Sequence, residues 1–146
     1  MSYTNLVYHI VYGTKDRLPL ITKELRPRLP EYLGGTVNGL HRTPLEINGT
    51  ADHVHVLARI KPVISISEFM SKFKLSSSAW ARRQMHGKFN WQVKYGAFTV
   101  SPSQVEKVQD YIRNQEAHHS RISFEEEFRA LLRSHGIEFE EKYLWE

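Results

Sequence analysis

The stretch Ala51-Asp52-His53-Val54-His55-Val56-Leu57, continuing into Ala58-Arg59-Ile60, is apolar at every second position, which is the period of a strand. Successive strand side chains face opposite ways, so His53 and His55 share one face while Val54, Val56, Ala58 and Ile60 occupy the other. One face packs and the other can carry chemistry. Two neutral imidazoles on a rigid strand can hold a divalent ion if a third ligand arrives from elsewhere. A pair of this spacing also describes an ordinary hydrogen-bonded or surface pair, so the choice rests on the rest of the chain. By the same alternation Asp52 is expected to point away from the histidine face.

Arg42 to Asn48, separated from this strand by Gly49-Thr50-Ala51, reads as its hairpin partner. Upstream, residues 3–12 are rich in β-branched and aromatic types and end at Gly13, giving a first strand followed by the polar turn Thr14-Lys15-Asp16-Arg17. Between Thr22 and Leu40, Leu25, Leu29, Leu33 and Val37 recur at helical spacing; Pro27 and Pro30 either kink this helix or set its start near Pro27. Downstream, Ile66, Phe69, Met70, Phe73, Leu75 and Trp80 mark a helix from Ser65 or Ser67 to about Gln84, and a fourth strand falls around Ala97–Val100. The order β-α-β-β-α-β predicts an α+β, ferredoxin-like (split β-α-β) antiparallel sheet, with two helices on one face and the other face left available.

Two more helices follow. Ser101-Pro102-Ser103-Gln104 combines a cap, a first-turn proline and a glutamine, predicting a helix from about Pro102 to His118. Ser123-Phe124-Glu125-Glu126 repeats the capping pattern, and that helix should stop near Gly136. Phe139, Tyr143, Leu144 and Trp145 are expected to dock back on the body. At 146 residues with 40% hydrophobic content, residues 1–146 are expected to form a single domain.

The absence of cysteine excludes disulfides and thiolate metal sites, leaving imidazole, carboxylate, amide and water ligands and favouring a hard or borderline ion such as Mg²⁺ or Mn²⁺. No long apolar run and no signal-peptide pattern occur, so a cytoplasmic protein is expected. The net charge of +4 is uneven: residues 1–123 hold 17 Lys/Arg against 9 Asp/Glu, whereas 124–146 hold 3 against 7. The positive part is the expected nucleic-acid face, with the acidic tail turned away from it.

On the helix over residues 102–118, Tyr111 and Gln115 are four apart and share a face, with Gln104 and His118 along the same stripe, while Val105, Val108 and Ile112 form an apolar stripe. The helix can pack and still present a phenol beside an amide. Tyrosine on such a helix also serves as plain packing, and Gln115 alone carries no chemistry.

Several ordered motifs now coincide: Asp52-His53-Val54-His55-Val56-Leu57; Ser71-Lys72-Phe73-Lys74 with Ser76-Ser77 and Trp80; Trp91-Gln92; Tyr95-Gly96-Ala97-Phe98-Thr99-Val100-Ser101; Tyr111-Ile112-Arg113-Asn114-Gln115 with His118-His119; and Tyr143-Leu144-Trp145. Together they span nearly the whole chain, which resembles the single-tyrosine HUH transposases of small bacterial insertion sequences, including relatives associated with repetitive extragenic palindromes. Lys94 stands where a glycine commonly precedes the aromatic, and Pro27 and Pro30 fall in a helix that relatives form more regularly.

The resemblance implies that His53 and His55 are metal ligands, that Gln115 matches the third protein ligand and that Tyr111 is the nucleophile. It implies a DNA transposase that binds hairpin ends of single-stranded DNA, forms a 5′-phosphotyrosine with release of a 3′-OH, and rejoins strands. It also implies a homodimer, in which Tyr111 can act in trans. Such chemistry calls for a basic surface, for which Lys15, Arg17, Lys72, Lys74, Arg82, Arg83 and Lys88 are candidates, with Trp80 and Trp91 as stacking platforms or core. His118 or His119 can assist proton transfer or simply end the helix. Two other readings remain open here: a non-catalytic ferredoxin-like nucleic-acid-binding module using the open sheet face, and a domesticated nuclease acting on palindromes.

Overall fold

The computed structural model describes residues 2–39, 43–85 and 87–146. Its centre is a four-stranded antiparallel sheet in the order β2-β3-β1-β4, formed by β1 (Val7–Gly13), β2 (Thr43–Gly49), β3 (His53–Arg59) and β4 (Gly96–Thr99). That is the ferredoxin-like order, with the histidine strand flanked on both sides. β1 begins later than the composition of residues 3–12 suggests, and Tyr3 is fully exposed. The expected end of the first helix at Leu40 and start of the hairpin at Arg42 lie outside the described residues.

Two helices cover one face. α1 (Arg28–Gly39) starts just after Pro27 and holds Pro30 in its first turn, where backbone amides lack helical partners, so neither proline bends it. α2 (Ile66–Met85) buries Phe69, Met70, Phe73 and Ala81. These pack with Leu29, Leu33 and Val37 of α1 against Ile10, Tyr12, Val54, Val56 and Ala58 of the sheet. Leu75 does not join them: two residues past Phe73 it has rotated to the solvent side and is 72% exposed. Among the described residues no helix is long and apolar enough to cross a membrane.

The other face is not open. The expected helix over 102–118 is divided into a 3-10 turn (Pro102–Gln104), α3 (Val105–Arg113) and α4 (Gln115–His118), with non-helical torsions of φ −98° and ψ 22° at Asn114. α5 (Phe124–Ser134) follows; the Ser123 hydroxyl caps it by accepting from the Glu126 amide at 3.2 Å, and Gly136 ends it at φ +69°. The side chains of Val11 and Phe98 pack with Phe124, Phe128, Leu132 and Leu144, and those of Val7 and Leu57 with Ile112. Phe139 and Trp145 dock on this second core as expected, whereas Tyr143 stays 47% exposed. This covering removes the premise of the open-face binding module: the strand positions it would need lie under α3 and α5.

Candidate functional site

β1 and β3 pair with Val11 opposite His55 and Gly13 opposite His53, so these positions share the face under α3 and α5. The strand alternation therefore delivers both imidazoles to a buried seam, and each is fully buried. A Cβ on Gly13 would meet the Phe124 ring at 2.7 Å, which ties the glycine to a close contact. With no side chain there, Phe124 lies flat on the His53 ring, centroids 4.2 Å apart and planes 9° apart.

Each imidazole is oriented through its Nδ1. The His53 Nδ1–H donates to Asp52 Oδ1 at 2.8 Å, and Thr50 Oγ1 stands 3.0 Å from the same nitrogen. Asp52 thus corrects the expectation that it points away: it precedes the first residue of β3, where strand alternation does not hold. His55 Nδ1 lies 2.8 Å from His9 Nε2, the two rings sharing one hydrogen bond. Both Nε2 atoms are left pointing into the seam.

Tyr111 and Gln115 arrive from the opposite side. Asn48 Nδ2 holds the Ile112 and Arg113 carbonyls at 3.1 and 3.2 Å, and Gln109 Nε2 donates to the Leu45 carbonyl at 3.4 Å, fixing α3 on β2. Gln115 is fully buried, with Oε1 3.2 Å from His53 Nε2. The expected facing pairs are therefore brought together within one chain. His118 lies along the same side as Tyr111, ring centroids 5.3 Å apart.

At the centre sits Glu127 of α5, a carboxylate that motif reading missed. Its Oε1 is 3.0 Å from His55 Nε2, 3.0 Å from His119 Nε2 and 3.3 Å from His53 Nε2. Its Oε2 accepts from the Tyr111 hydroxyl and from Gln115 Nε2 at 3.1 Å, and His118 Nε2 stands 3.4 Å away. A signal was present: Phe124, Phe128 and Leu132 are the buried stripe of α5, and Glu127 is the one charged residue at an inward position. The acidic tail thus does not turn away from the rest. It contributes the central carboxylate, and Glu125 lies 3.6 Å from Arg17.

The electrostatics follow from burial and from this carboxylate. Burial lowers the pKa of His55 to about 4, and burial with the neighbouring His55 lowers that of His9 to about 3, so both rings are neutral at physiological pH. For His53 burial opposes charge, but the hydrogen bonds to Asp52 and Glu127 outweigh it and raise its pKa. Burial and the adjacent Glu127 push the Tyr111 phenol well up, while histidine hydrogen bonds overcome burial and hold the Glu127 carboxyl well down. His53, His55, His119 and Glu127 place one donor atom each within 4.8 Å of one another, and this nitrogen-and-oxygen set fits a divalent cation.

Tyr111 is reached through two clefts. One, of about 490 Å³, is lined by residues including His9, Gln104 and His135; the other, of about 460 Å³, includes Lys107, His118 and Arg121. The basic residues singled out from the sequence lie elsewhere and fall into two groups. Lys15, Arg83 and Lys88 are exposed, as is Lys72, whose ammonium lies 3.4 Å from Glu68. The others have partners within the chain: Lys74 Nζ donates to the Gln92 and Val93 carbonyls, Arg82, though exposed, donates through Nε to the Phe89 carbonyl at 3.0 Å, and Arg17 lies over the Trp145 ring at 4.4 Å. Trp91 is core, its indole N–H donating to Ser77 Oγ at 2.9 Å, and Trp80 stacks on Tyr32 at 4.6 Å.

The ferredoxin-like sheet sets a buried histidine pair opposite a tyrosine, and comparison with known proteins places that arrangement in a family. The family described as "Transposase IS200 like" matches residues 2–115. The chain is 33% identical over 118 residues to the transposase for insertion sequence element IS200 of Salmonella typhimurium, covering 76% of this chain and 77% of that one. It is 27% identical over 119 residues to the ISDra2 transposase TnpA of Deinococcus radiodurans, covering 75% and 84%. Among solved structures, a candidate transposase from Deinococcus radiodurans shares the fold with a TM-score of 0.64 and 24% identity over 78% of this chain and 93% of that one. A REP-associated tyrosine transposase bound to a REP hairpin does so with a TM-score of 0.60 and 13% identity, over 84% and 73%.

The chain belongs to the IS200-like transposase family, whose members are DNA-cleaving enzymes of insertion sequences. Glu127 and His119 lie beyond the part of the chain that the family pattern matches.

Proposed function

We propose that this protein nicks and rejoins single-stranded DNA at hairpin ends, with Tyr111 as nucleophile. The observation that carries the reading is convergence: the Tyr111 hydroxyl, the Gln115 amide and the Nε2 atoms of His53 and His55 all meet around one carboxylate, although the two halves of the site lie about 60 residues apart in sequence. His53, His55 and Gln115 would hold a divalent ion, Mg²⁺ or Mn²⁺, which when bound would supply charge to polarise the scissile phosphate and favour the Tyr111 phenolate.

The chain's own residues then do the following. Tyr111 Oη attacks the phosphorus in line as the bond to the 3′ oxygen breaks; the phenol proton passes, net, to that oxygen, so the departing strand leaves with a free 3′-OH while the 5′ phosphate stays on the enzyme as phosphotyrosine. The linkage keeps the energy of the phosphodiester. A second 3′-OH can therefore attack it, form the new strand junction and return Tyr111 as a phenol, without ATP. Asp52 and His9 hold the two imidazoles in orientation throughout. Lys107 and Arg121 line one approach to Tyr111, alongside Asp110, and their cations can meet a phosphodiester backbone there.

The hairpin as partner rests on the shared fold with the hairpin-bound transposase and on the exposed Lys15, Lys72, Arg83 and Lys88. We further read the protein as cytoplasmic and as a homodimer in which each chain supplies its own Tyr111, since α3 reaches its own β3 histidines. A labelled hairpin oligonucleotide with a 5′ extension and Mn²⁺ tests the reaction. The expected products are a cut strand whose 3′-OH a polymerase extends, and a joined strand when a second 3′ end is added. Cutting that survives in Tyr111→Phe, or no cutting with any divalent ion, contradicts it.

A further inference from the structure

Two of the four donor residues that converge in the seam, His119 and Glu127, come from the C-terminal part of the chain, past residue 115 where the family match ends. Three imidazoles aim Nε2 at a single oxygen, Glu127 Oε1, at 3.0, 3.0 and 3.3 Å. Each has its Nδ1 engaged behind it: His53 with Asp52, His55 with His9, and His119 with the Ile122 carbonyl at 2.7 Å. A carbonyl and a carboxylate only accept, so the Nδ1 atoms of His119 and His53 carry a proton, which leaves Nε2 of each ring as the atom that would face a bound ion. Three imidazole nitrogens and one carboxylate oxygen that converge in a buried seam form a donor set that a divalent cation would complete.

The distances suit one ion. Donors bound to a single ion at about 2.1 Å sit about 3–4.2 Å apart, and the four donor atoms here lie within 4.8 Å, so a contraction of about half an ångström gathers them. Nor is α5 a loose cover. Its Phe124 stacks on His53, and Phe124, Phe128 and Leu132 are buried in the second core, so Glu127 is delivered by packing rather than by a mobile loop. Oε2 remains for the Tyr111 hydroxyl and the Gln115 amide, which couples the nucleophile to the same carboxylate.

The geometry points to Glu127 and His119 as ligands of the divalent ion alongside His53 and His55, a set rich enough in imidazole to select a first-row transition ion such as Mn²⁺ over Mg²⁺. This rests on the metal-dependent reading above and deepens it. Mg²⁺ prefers oxygen and water, whereas imidazole suits the transition ions, so the three histidines set the preference while the carboxylate supplies the charge. Gln115 then holds Glu127 in place as much as it contacts the ion.

Mn²⁺ and Mg²⁺ titrations of the purified full chain, read by the electron paramagnetic resonance of free Mn²⁺ and by calorimetry, test this without DNA. The wild type should bind one Mn²⁺, more tightly than Mg²⁺ by at least about tenfold. Glu127→Gln and His119→Gln should each weaken Mn²⁺ by about tenfold or more, and His119→Gln should remove one imidazole from the nitrogen couplings of bound Mn²⁺. If Glu127→Gln fails to fold by circular dichroism, Glu127→Asp, which draws the carboxylate back by one methylene, and His119→Gln carry the test. Mn²⁺ affinity unchanged in the folded Glu127 and His119 variants but lost in His53→Ala would overturn this ligand assignment alone. A wild type that binds no divalent ion would overturn the metal-dependent reading as well.

Discussion

His53 and His55 owe their directions to different neighbours, and each neighbour is a point of attack. Asp52 accepts from His53, and His9 shares a hydrogen bond with His55, so neither imidazole can turn without breaking a hydrogen bond. Loss of such an outer partner commonly lowers metal affinity by about 10–100-fold. Asp52→Asn and His9→Phe should each do so in Mn²⁺ titration while the fold is kept; unchanged affinity in both would show that the rings are held by packing alone. At this scale the sequence was partly readable. The His-x-His face followed from strand period, and Tyr111 with Gln115 from helical spacing. Asp52 was misplaced because the alternation was extended one residue beyond the strand. Glu127 went unseen because its partners are 72 and 16 residues away in sequence, at His55 and Tyr111, although a glutamate on the buried stripe of α5 was the clue.

Among the elements, α5 carries the most consequence for its length. Ser123 caps it, and its first turn then places Phe124 on His53 and Glu127 in the seam. Ser123→Ala removes the cap and should cost about 1 kcal/mol, seen as a lower midpoint in thermal or urea unfolding. No loss of stability would mean that aromatic packing alone sets the helix start. α2 offers a pH dependence. Burial of Lys74 against the segment around Gln92 lowers its pKa from 10.5 to about 8. Below that both folded and unfolded chains are protonated there; above it the folded chain releases the proton first, so stability should rise between about pH 8 and 10.5. Urea unfolding across that range should show the rise in the wild type and lose it in Lys74→Met. Elements were legible where period and caps were strong, as in α1, α2 and α5. The division of the 102–118 helix at Asn114 was not, because its spacing stays helical on both sides of the break.

For the whole molecule, the covering of the sheet decides what it can do. The order β-α-β-β-α-β correctly gave the sheet and its first two helices, but it left the second face open, and only tertiary packing shows α3 and α5 closing it over the histidines. That closure is made within one chain, with Tyr111 and the β3 histidines around the same carboxylate. Mixing Tyr111→Phe with His53→Ala chains should therefore leave both inactive on hairpin DNA. Recovered cutting in the mixture would show that α3 is exchanged between subunits.

The most direct test of the central claim is to trap the reaction. The protein is incubated with Mn²⁺ and a hairpin oligonucleotide carrying a 5′ extension, denatured and digested, and the DNA-linked peptide is sequenced by mass spectrometry. The account predicts a denaturation-resistant adduct with the 5′ phosphate on Tyr111, absent in Tyr111→Phe. An adduct on another residue, or strand cutting with no covalent protein–DNA species, would contradict it.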